Sequence, residues 1–405
     1  MLREPAPSNP APRKLRVAIV TETYRPEING VAITIELMVD ALARRGHSLQ
    51  LIRPRQHAGD AATAACDYEQ VLVRGAPIPG YAGLRVGLPA AALLKRLWRT
   101  QPPDVVHVVT EGPLGWSAIN AARALGIPVT SDFHTNFHTY SAHYGLRALR
   151  ALMAAYLVRL HNRAAMTLVP TEELRAELAA LGMRNLRVVA RGFDAQRFHP
   201  SRRNAGLRRS WGVEDVDAPA VVHVGRLAPE KNLDLLFHAF DAMRAAVPRA
   251  RLIIVGDGPE RRRLERSYPG HRFAGMQTGD ALAQHYASGD IFLYPSLTET
   301  FGNVTVEAMA SGLAVVAYDY AAAHRYIVSG SNGLLAPFGD AGAFKALARR
   351  LVQSPSTIRM LGANARGTAS GIGWEPVFDA FESELRNVCT AGVRIDRAAV
   401  AGAGA

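Results

Sequence analysis

The sequence predicts a doubly wound α/β protein built as two similar lobes, and three observations carry that expectation. The chain has 405 residues with 48% hydrophobic and 20% charged content, more than one compact core holds, so two domains are expected. Short β-branched runs alternate with helical patterns: "LRVAIVT", "SLQLIRP", "DVVHVVT" and "IPVTSDF", then "PAVVHVGR", "ARLIIVGDG", "DIFLYPS" and "LAVVAYD". Continuous apolar runs bounded by Gly, Pro or Asp are the pattern of parallel strands covered on both faces. The series restarts after "GFDAQRFHPSRRNAGLRRSWGV", a polar, basic stretch around 192–212 whose His199-Pro200 step breaks any periodicity, as expected of a hinge. The expected division is a Pro-rich disordered tail over 1–14, a first lobe over 15–197, a second over 198–373, a last helix over 374–393 and a disordered tail over 394–405.

In the first lobe "VAIV" runs into "TETYRPEINGV", after which Val31, Ile35, Met38 and Leu42 recur as one buried helical stripe up to Gly46. Gly30 therefore stands where a strand hands over to a helix N-terminus, a place where free N–H groups and the helix dipole favour an anion. A plain turn using glycine for its geometry is the competing explanation, and the dinucleotide fingerprint GxGxxG is absent. After the fourth strand, "TSDFHTNFHTYSAHYG" holds His134, His138 and His143. His134 and His138 have HxxxH spacing, but Thr135 stands where the zinc motif HExxH needs its glutamate. His134, at the strand end, suits a hydrogen bond to a bound hydroxyl, or else is a satisfied core histidine. Leu146, Leu149, Met153, Tyr156, Leu157 and Leu160 form a further stripe flanked by Arg147, Arg150, Arg159 and Arg163, read as core packing ahead of a membrane-facing surface.

The second lobe opens with "VVHVGRLAPEKNLDLLFHAF". Arg226 and Lys231 fall between a strand end and a helix, where a planar fork and a point charge suit a diphosphate, unless both are simply solvated. In "LIIVGDGPERRRLE", Gly256 and Gly258 make another strand-to-helix turn, and Arg261 spoils the third glycine of a dinucleotide fingerprint. "DVD" at 215–217 reads as a surface loop. In "LYPSLTETFGNVTVEAMASG", Glu299 lies on a loop, Gly302 and Asn303 precede a helix, and Glu307 sits in its first turns. An acid near a helix start is explained by the dipole alone. A loop acid beside two cations instead suits a ligand bearing both hydroxyls and phosphates, as a nucleotide sugar does.

The formal net charge of +12 fits an anionic partner such as a nucleotide, nucleic acid or anionic lipid, or general solubility. Cys66 and Cys389 lie far apart without metal-ligand or disulfide-framework spacing, as expected in a reducing cytosol. The first residues lack the apolar core of a signal peptide and no stretch is apolar enough to span a bilayer, so a cytoplasmic location is expected, association with the inner face of the membrane being allowed.

Six motifs taken in order, "YRPEINGV", "DFHT", "GFDAQRFHP", "VGRLAPEKN", "IVGDGP" and "ETFGNVTVEAMASG", cover about residues 15–390, and on them the chain resembles the family-4 retaining glycosyltransferases. That resemblance implies the GT-B fold, two Rossmann-like doubly wound domains facing a central cleft, acceptor side first and nucleotide-sugar side second, with the last helix crossing back. It implies that Arg226 and Lys231 neutralise the donor diphosphate, Glu299 holds sugar hydroxyls, Glu307 binds the ribose and His134 lies near the reacting carbon. Asn29, Gly30, Gly256, Gly258, Phe301, Gly302 and Asn303 complete the implied donor site. No metal and no cofactor is implied beyond the nucleotide-sugar co-substrate. "TETYRPEINGV" and "FHTNFHTYSAHYG" look closest to the lipid-directed mannosyl- and sulfoquinovosyl-transferase branch. The implied function is sugar transfer with retention to a lipid or glycan acceptor, with GDP-mannose as first donor and UDP-sugars behind it. Expected partners are that donor and acceptor, with peripheral contact to an anionic membrane allowed and no nucleic acid. The alternatives are a GT-B sugar-nucleotide epimerase and a non-catalytic protein that binds nucleic acid or membrane.

Overall fold

A computed structural model describes residues 13–27, 30–57, 59–61, 67–77, 85–134, 147–214 and 218–402, the side chains of 147–150 and 391–402 excepted. Asn29, Cys66, His138, His143 and the 215–217 acidic pair fall outside the described residues.

The first lobe carries strands β1 (Arg16–Val20), β2 (Ser48–Pro54), β3 (Glu69–Val73), β4 (Gly75–Pro77), β5 (Arg85–Gly87), β6 (Val105–Val108), β7 (Val129–Asp132), β8 (Met166–Val169) and β9 (Leu186–Val188). Its helices are α1 (Gly30–Arg44), α2 (Ala91–Thr100), α3 (Pro113–Ala124), α4 (Arg147–His161) and α5 (Glu172–Ala180). Seven strands form one sheet in the order β3-β2-β1-β6-β7-β8-β9, parallel throughout, and β4 and β5 form a separate antiparallel pair. Alternate residues of the central strands feed two cores, as the period of a strand demands. Val17, Ile19, Leu49 and Leu51 pack under α1, whereas Ala18, Val20, Ile52 and Val106 pack toward α2 and α3.

The second lobe repeats the plan. Helix α6 (Ala205–Ser210) leads to β10 (Ala220–Val224), α7 (Leu233–Ala246), β11 (Arg251–Val255), α8 (Arg261–Ser267), β12 (Arg272–Gly275), α9 (Gly279–Ala287), β13 (Ile291–Tyr294), α10 (Asn303–Ala310), β14 (Ala314–Tyr318), α11 (Ala321–Tyr326), β15 (Leu334–Ala336), α12 (Ala341–Val352) and α13 (Pro355–Ala369). Its parallel sheet runs β12-β11-β10-β13-β14-β15. Both sheets are thus doubly wound and reverse strand order once, between β1 and β6 and between β10 and β13.

Helix α14 (Trp374–Gly402) returns to the first lobe, where Phe378, Phe381, Leu385 and Val388 pack on Ile35, Met38, Val39 and Leu42 of α1. Arg45 fastens the crossing with ion pairs to Glu375 (2.8 Å), Asp379 (2.7 Å) and Glu382 (3.0 Å). The helix continues to Gly402, where a tail from 394 was expected; Ala398 and Ala399 are strong helix formers and keep the backbone ladder going. In α4, Leu157 and Leu160 are buried, in keeping with the core-packing reading of that stripe, while Leu152 is exposed.

Candidate functional site

In an open parallel sheet, ligands collect beyond the strand C-termini where strand order reverses, because the adjacent connections leave on opposite faces and open a crevice. The second lobe places its chemistry there. From β10 the chain passes Arg226 and a tight 3-10 turn, Pro229–Lys231, and enters α7 through Asn232 in the left-handed region (φ 53°), which asparagine tolerates. From β13 it passes Ser296 and Glu299 to Gly302 (φ 93°), which starts α10.

These two loops meet at one carboxylate oxygen. Oε1 of Glu299 receives hydrogen bonds from Nζ of Lys231, the phenol of Tyr294 and Oγ of Ser296, the last at 2.7 Å. Tyr320 fixes the same residue from the far side, its hydroxyl donating to the Glu299 carbonyl at 3.1 Å. Oε2 of Glu299 takes no hydrogen bond from the described residues. Glu299, Phe301, Gly302, Tyr294, Ser296 and Tyr320 line one shallow pocket. Burial, and then Glu299, hold the Tyr294 phenol well above its ordinary range, so it stays a donor. Beneath it the buried His223 stacks on Tyr294 and is pushed down by burial to about 4, which makes it a neutral floor under the Lys231 charge.

Glu307 stands further along α10 and accepts from the Tyr286 hydroxyl at 2.9 Å. Burial raises its carboxyl to about 7; Tyr286 and the hinge residue Arg197 pull the other way. At the first residue of α10 the buried Oδ1 of Asn303 is without a partner among the described residues. Phe301 is core, edge-on to Tyr326 at 6.2 Å between ring centres. Arg226 is exposed, and its side chain has no ion pair or hydrogen bond among the described residues.

The expected glycines divide into two kinds. At Gly256 (φ 133°) a Cβ would stand 1.9 Å from the Gly225 carbonyl oxygen, so the fold itself demands glycine there. Gly258 is similarly crowded, with the Leu227 carbonyl 2.3 Å from a Cβ. At Gly30 a Cβ would meet nothing within 4 Å among the described residues, so packing against them does not account for glycine there.

The reversal in the first lobe holds acids that the sequence reading passed over. Glu22, after β1, accepts from the backbone N–H of Leu114 at the start of α3 (2.9 Å), and burial raises it to about 7. Glu111, after β6, receives the His134 N–H at 3.3 Å. Both ring nitrogens of His134 are engaged: Nε2 with Asp132 at 3.2 Å, and Nδ1 accepting from Arg191 at 2.9 Å. Burial, and then Arg191, lower the His134 pKa, so the ring is neutral. The sequence signal for Glu111 was its place directly after the strand "DVVHVVT", which carries weight only once that strand is known to flank the reversal.

Among the described residues no group of three or more His, Cys, Asp or Glu is placed to hold a metal ion, and no helix is long and apolar enough to cross a membrane.

The family description "Glycosyltransferase Family 4" matches residues 28–197, and "Glycosyl transferases group 1" matches residues 218–354. A GDP-mannose-dependent alpha-mannosyltransferase of Mycobacterium tuberculosis is 37% identical over 80% of this chain and 85% of that protein. A sulfoquinovosyl transferase of Arabidopsis thaliana is 33% identical over 70% of this chain and 56% of that protein. Among solved structures, a sucrose-phosphate synthase from Thermosynechococcus elongatus superposes with a TM-score of 0.77 at 21% identity, covering 94% of this chain and all of that one, a likeness of fold. The paired doubly wound lobes are the GT-B architecture expected from the sequence, and this chain belongs to the family-4 glycosyltransferases.

Proposed function

We propose that this glycosyltransferase moves mannose from GDP-mannose to a lipid acceptor with retention of anomeric configuration and without a metal ion. The reading rests on one observation above the others: Lys231 and Glu299 meet at the second-lobe reversal, with Oε2 of Glu299 and the whole Arg226 guanidinium free of partners among the described residues. A diphosphate needs cations and a sugar needs acceptors for its hydroxyls, and both are supplied within one loop pair.

In this reading the Arg226 fork and the Lys231 ammonium neutralise the β-phosphate as it becomes the leaving group. Fixed charges aimed at developing charge are worth about 3 kcal/mol or more per group in other enzymes. Glu299 accepts from sugar hydroxyls through Oε2, and Glu307 accepts from the ribose hydroxyls. The turn carrying Gly256 and Gly258, whose glycines the fold already requires, lies beside the nucleotide, and the open side of Gly30 lets the first lobe approach the diphosphate. Asn303 and Gly302 set the start of the helix behind the sugar. The departing diphosphate takes the acceptor proton on the face from which it left, so neither glutamate serves as nucleophile. His134 reaches the sugar once its ring is released from Asp132 or Arg191. Neutralisation by Arg226 and Lys231 takes the place of a metal.

GDP-mannose is preferred over UDP-sugars because the mycobacterial relative, named for that donor, shares more identity over more of its length than the plant enzyme does. A lipid acceptor agrees with the basic charge of +12, which favours peripheral contact with an anionic membrane over nucleic acid in an enzyme of this family. The test is transfer of radiolabelled mannose from GDP-mannose to diacylglycerol-type and phosphatidylinositol-type lipids in vesicles, in EDTA, with the product anomer assigned by NMR. An α-mannosyl lipid is expected. Label transferred only from UDP-sugars would overturn the donor, and a β-linked product would overturn retention.

A further inference from the structure

Glu299 is held with unusual redundancy for a ligand-facing side chain. Tyr294 is the last residue of β13, its position set by the parallel register that pairs it with Ala317 of β14. Pro295 fixes the backbone after it and Ser296 follows at once, so one hydroxyl issues from the end of a central strand and the other from the first residues of the loop beyond it. Both aim at Oε1 of Glu299, the oxygen that also takes the Lys231 ammonium. Lys231 also lies 3.4 Å from the Tyr294 hydroxyl and 5.8 Å from the centre of its ring.

Three donors exhaust the accepting capacity of one carboxylate oxygen. With Oε1 spent, Oε2 is the atom left for a ligand. Without the two hydroxyls the carboxylate is free to turn and offer both oxygens to Lys231, and the sugar loses its acceptor. We propose that Tyr294 and Ser296 are positioning residues for donor-sugar recognition: they pin Oε1 of Glu299 so that Oε2 faces the pocket, and so make the site favour a sugar nucleotide over the bare nucleotide. The inference rests on the reading of Glu299 as the sugar-hydroxyl acceptor.

Its signature is the ratio of affinities for GDP-mannose and GDP, because both share the nucleotide and only one carries the hydroxyls. Tyr294→Phe keeps the buried ring and removes one oxygen; Ser296→Ala removes the other, and either variant alone suffices should one fail to fold. Calorimetric titration of both ligands is expected to show GDP affinity held within about twofold and GDP-mannose affinity lowered about tenfold in each variant. A general packing role moves both affinities together, and that result, or no change in either, overturns the proposal. Glu299→Gln, titrated beside them, separates the two ideas. If it too leaves the ratio at the wild-type value, the sugar-acceptor reading of Glu299 fails and the positioning role falls with it. If Glu299→Gln collapses the ratio while the hydroxyl variants do not, the positioning role alone is wrong.

Discussion

The two strand-order reversals are built alike and finished differently. At the first, between β1 and β6, Glu22 is answered by the start of α3, Glu111 by the His134 backbone N–H, and His134 by Asp132 and Arg191, while the buried Nε2 atoms of His107 and His161 lie 3.6 Å from Asp132 and Glu111 without a hydrogen bond among the described residues. At the second, between β10 and β13, the network stops short, leaving Oε2 of Glu299, Oδ1 of Asn303 and the Arg226 guanidinium without partners among the described residues. The mere presence of charge does not tell the two apart, since acids and cations stand at both reversals. The accessible charge does, because the exposed Arg226 guanidinium, unpaired among the described residues, is left to take an anionic ligand, whereas Arg191 at the first reversal is already spent on His134.

The sharpest way to break this comparison is to remove the cation that ties the second site together. Lys231→Ala is expected to lower kcat by about a hundredfold to a thousandfold, measured as mannose transfer at saturating donor, because the leaving group loses a preorganised charge. Arg191→Ala in the first lobe unties His134 and is expected to cost stability first, seen as a lower Tm, since it strips a buried donor from a closed network.

The second prediction concerns the two kinds of glycine. Gly256→Ala is expected to destabilise the fold by about 2 kcal/mol or more, read by denaturant unfolding, since its Cβ would stand 1.9 Å from a carbonyl oxygen and its φ is 133°. Gly30→Ala should leave stability within about 0.5 kcal/mol and instead weaken nucleotide-sugar binding. Equal losses of stability in the two variants would erase the distinction between a fold glycine and a ligand glycine.

A third prediction uses Glu22 and Glu307, both raised by burial to about 7. Between the ordinary value of 4.5 and about 7 the folded state holds protons that the unfolded state releases, so their contribution to stability is present below that window and is lost as pH rises through it. Only Glu307 faces the donor in this account. Ribose hydroxyls favour its ionised form, so GDP affinity should rise with pH up to about 7, by at most about tenfold per pH unit, with release of a proton. Glu307→Gln should flatten that rise and Glu22→Gln should leave it, as calorimetry in buffers of different ionisation enthalpy will show.

How much of this was legible in the sequence follows from burial. The eight strands read directly are interior ones, short runs rich in β-branched and apolar residues. β3, β9, β12 and β15 were missed, and all four lie at sheet edges, where half-exposed faces break the run. β8 is buried but begins only four residues after α4, with no strong turn signal between them. Arg226, Lys231, Glu299 and Glu307 were visible because each follows a recognisable strand end. Tyr294 and Ser296 were hidden in plain view, since nothing local says that two hydroxyls will converge on one oxygen. Glu22 and Glu111 escaped notice because their meeting depends on strand order, which spacing along the chain does not encode.

The central claim is that the second-lobe reversal is a nucleoside-diphosphate site whose cations are Arg226 and Lys231. Arg226 is the cleaner probe, since its exposed side chain is tied to nothing among the described residues and its loss should spare the fold. The most direct measurement is the thermal shift produced by GDP, UDP and ADP, each with and without EDTA, in the wild-type protein and in Arg226→Ala, since a ligand that binds only the folded state raises Tm. The account predicts selective stabilisation by GDP, unchanged by EDTA and abolished in Arg226→Ala, with both proteins melting alike when no ligand is added. An undiminished shift in Arg226→Ala would contradict it and place the diphosphate elsewhere.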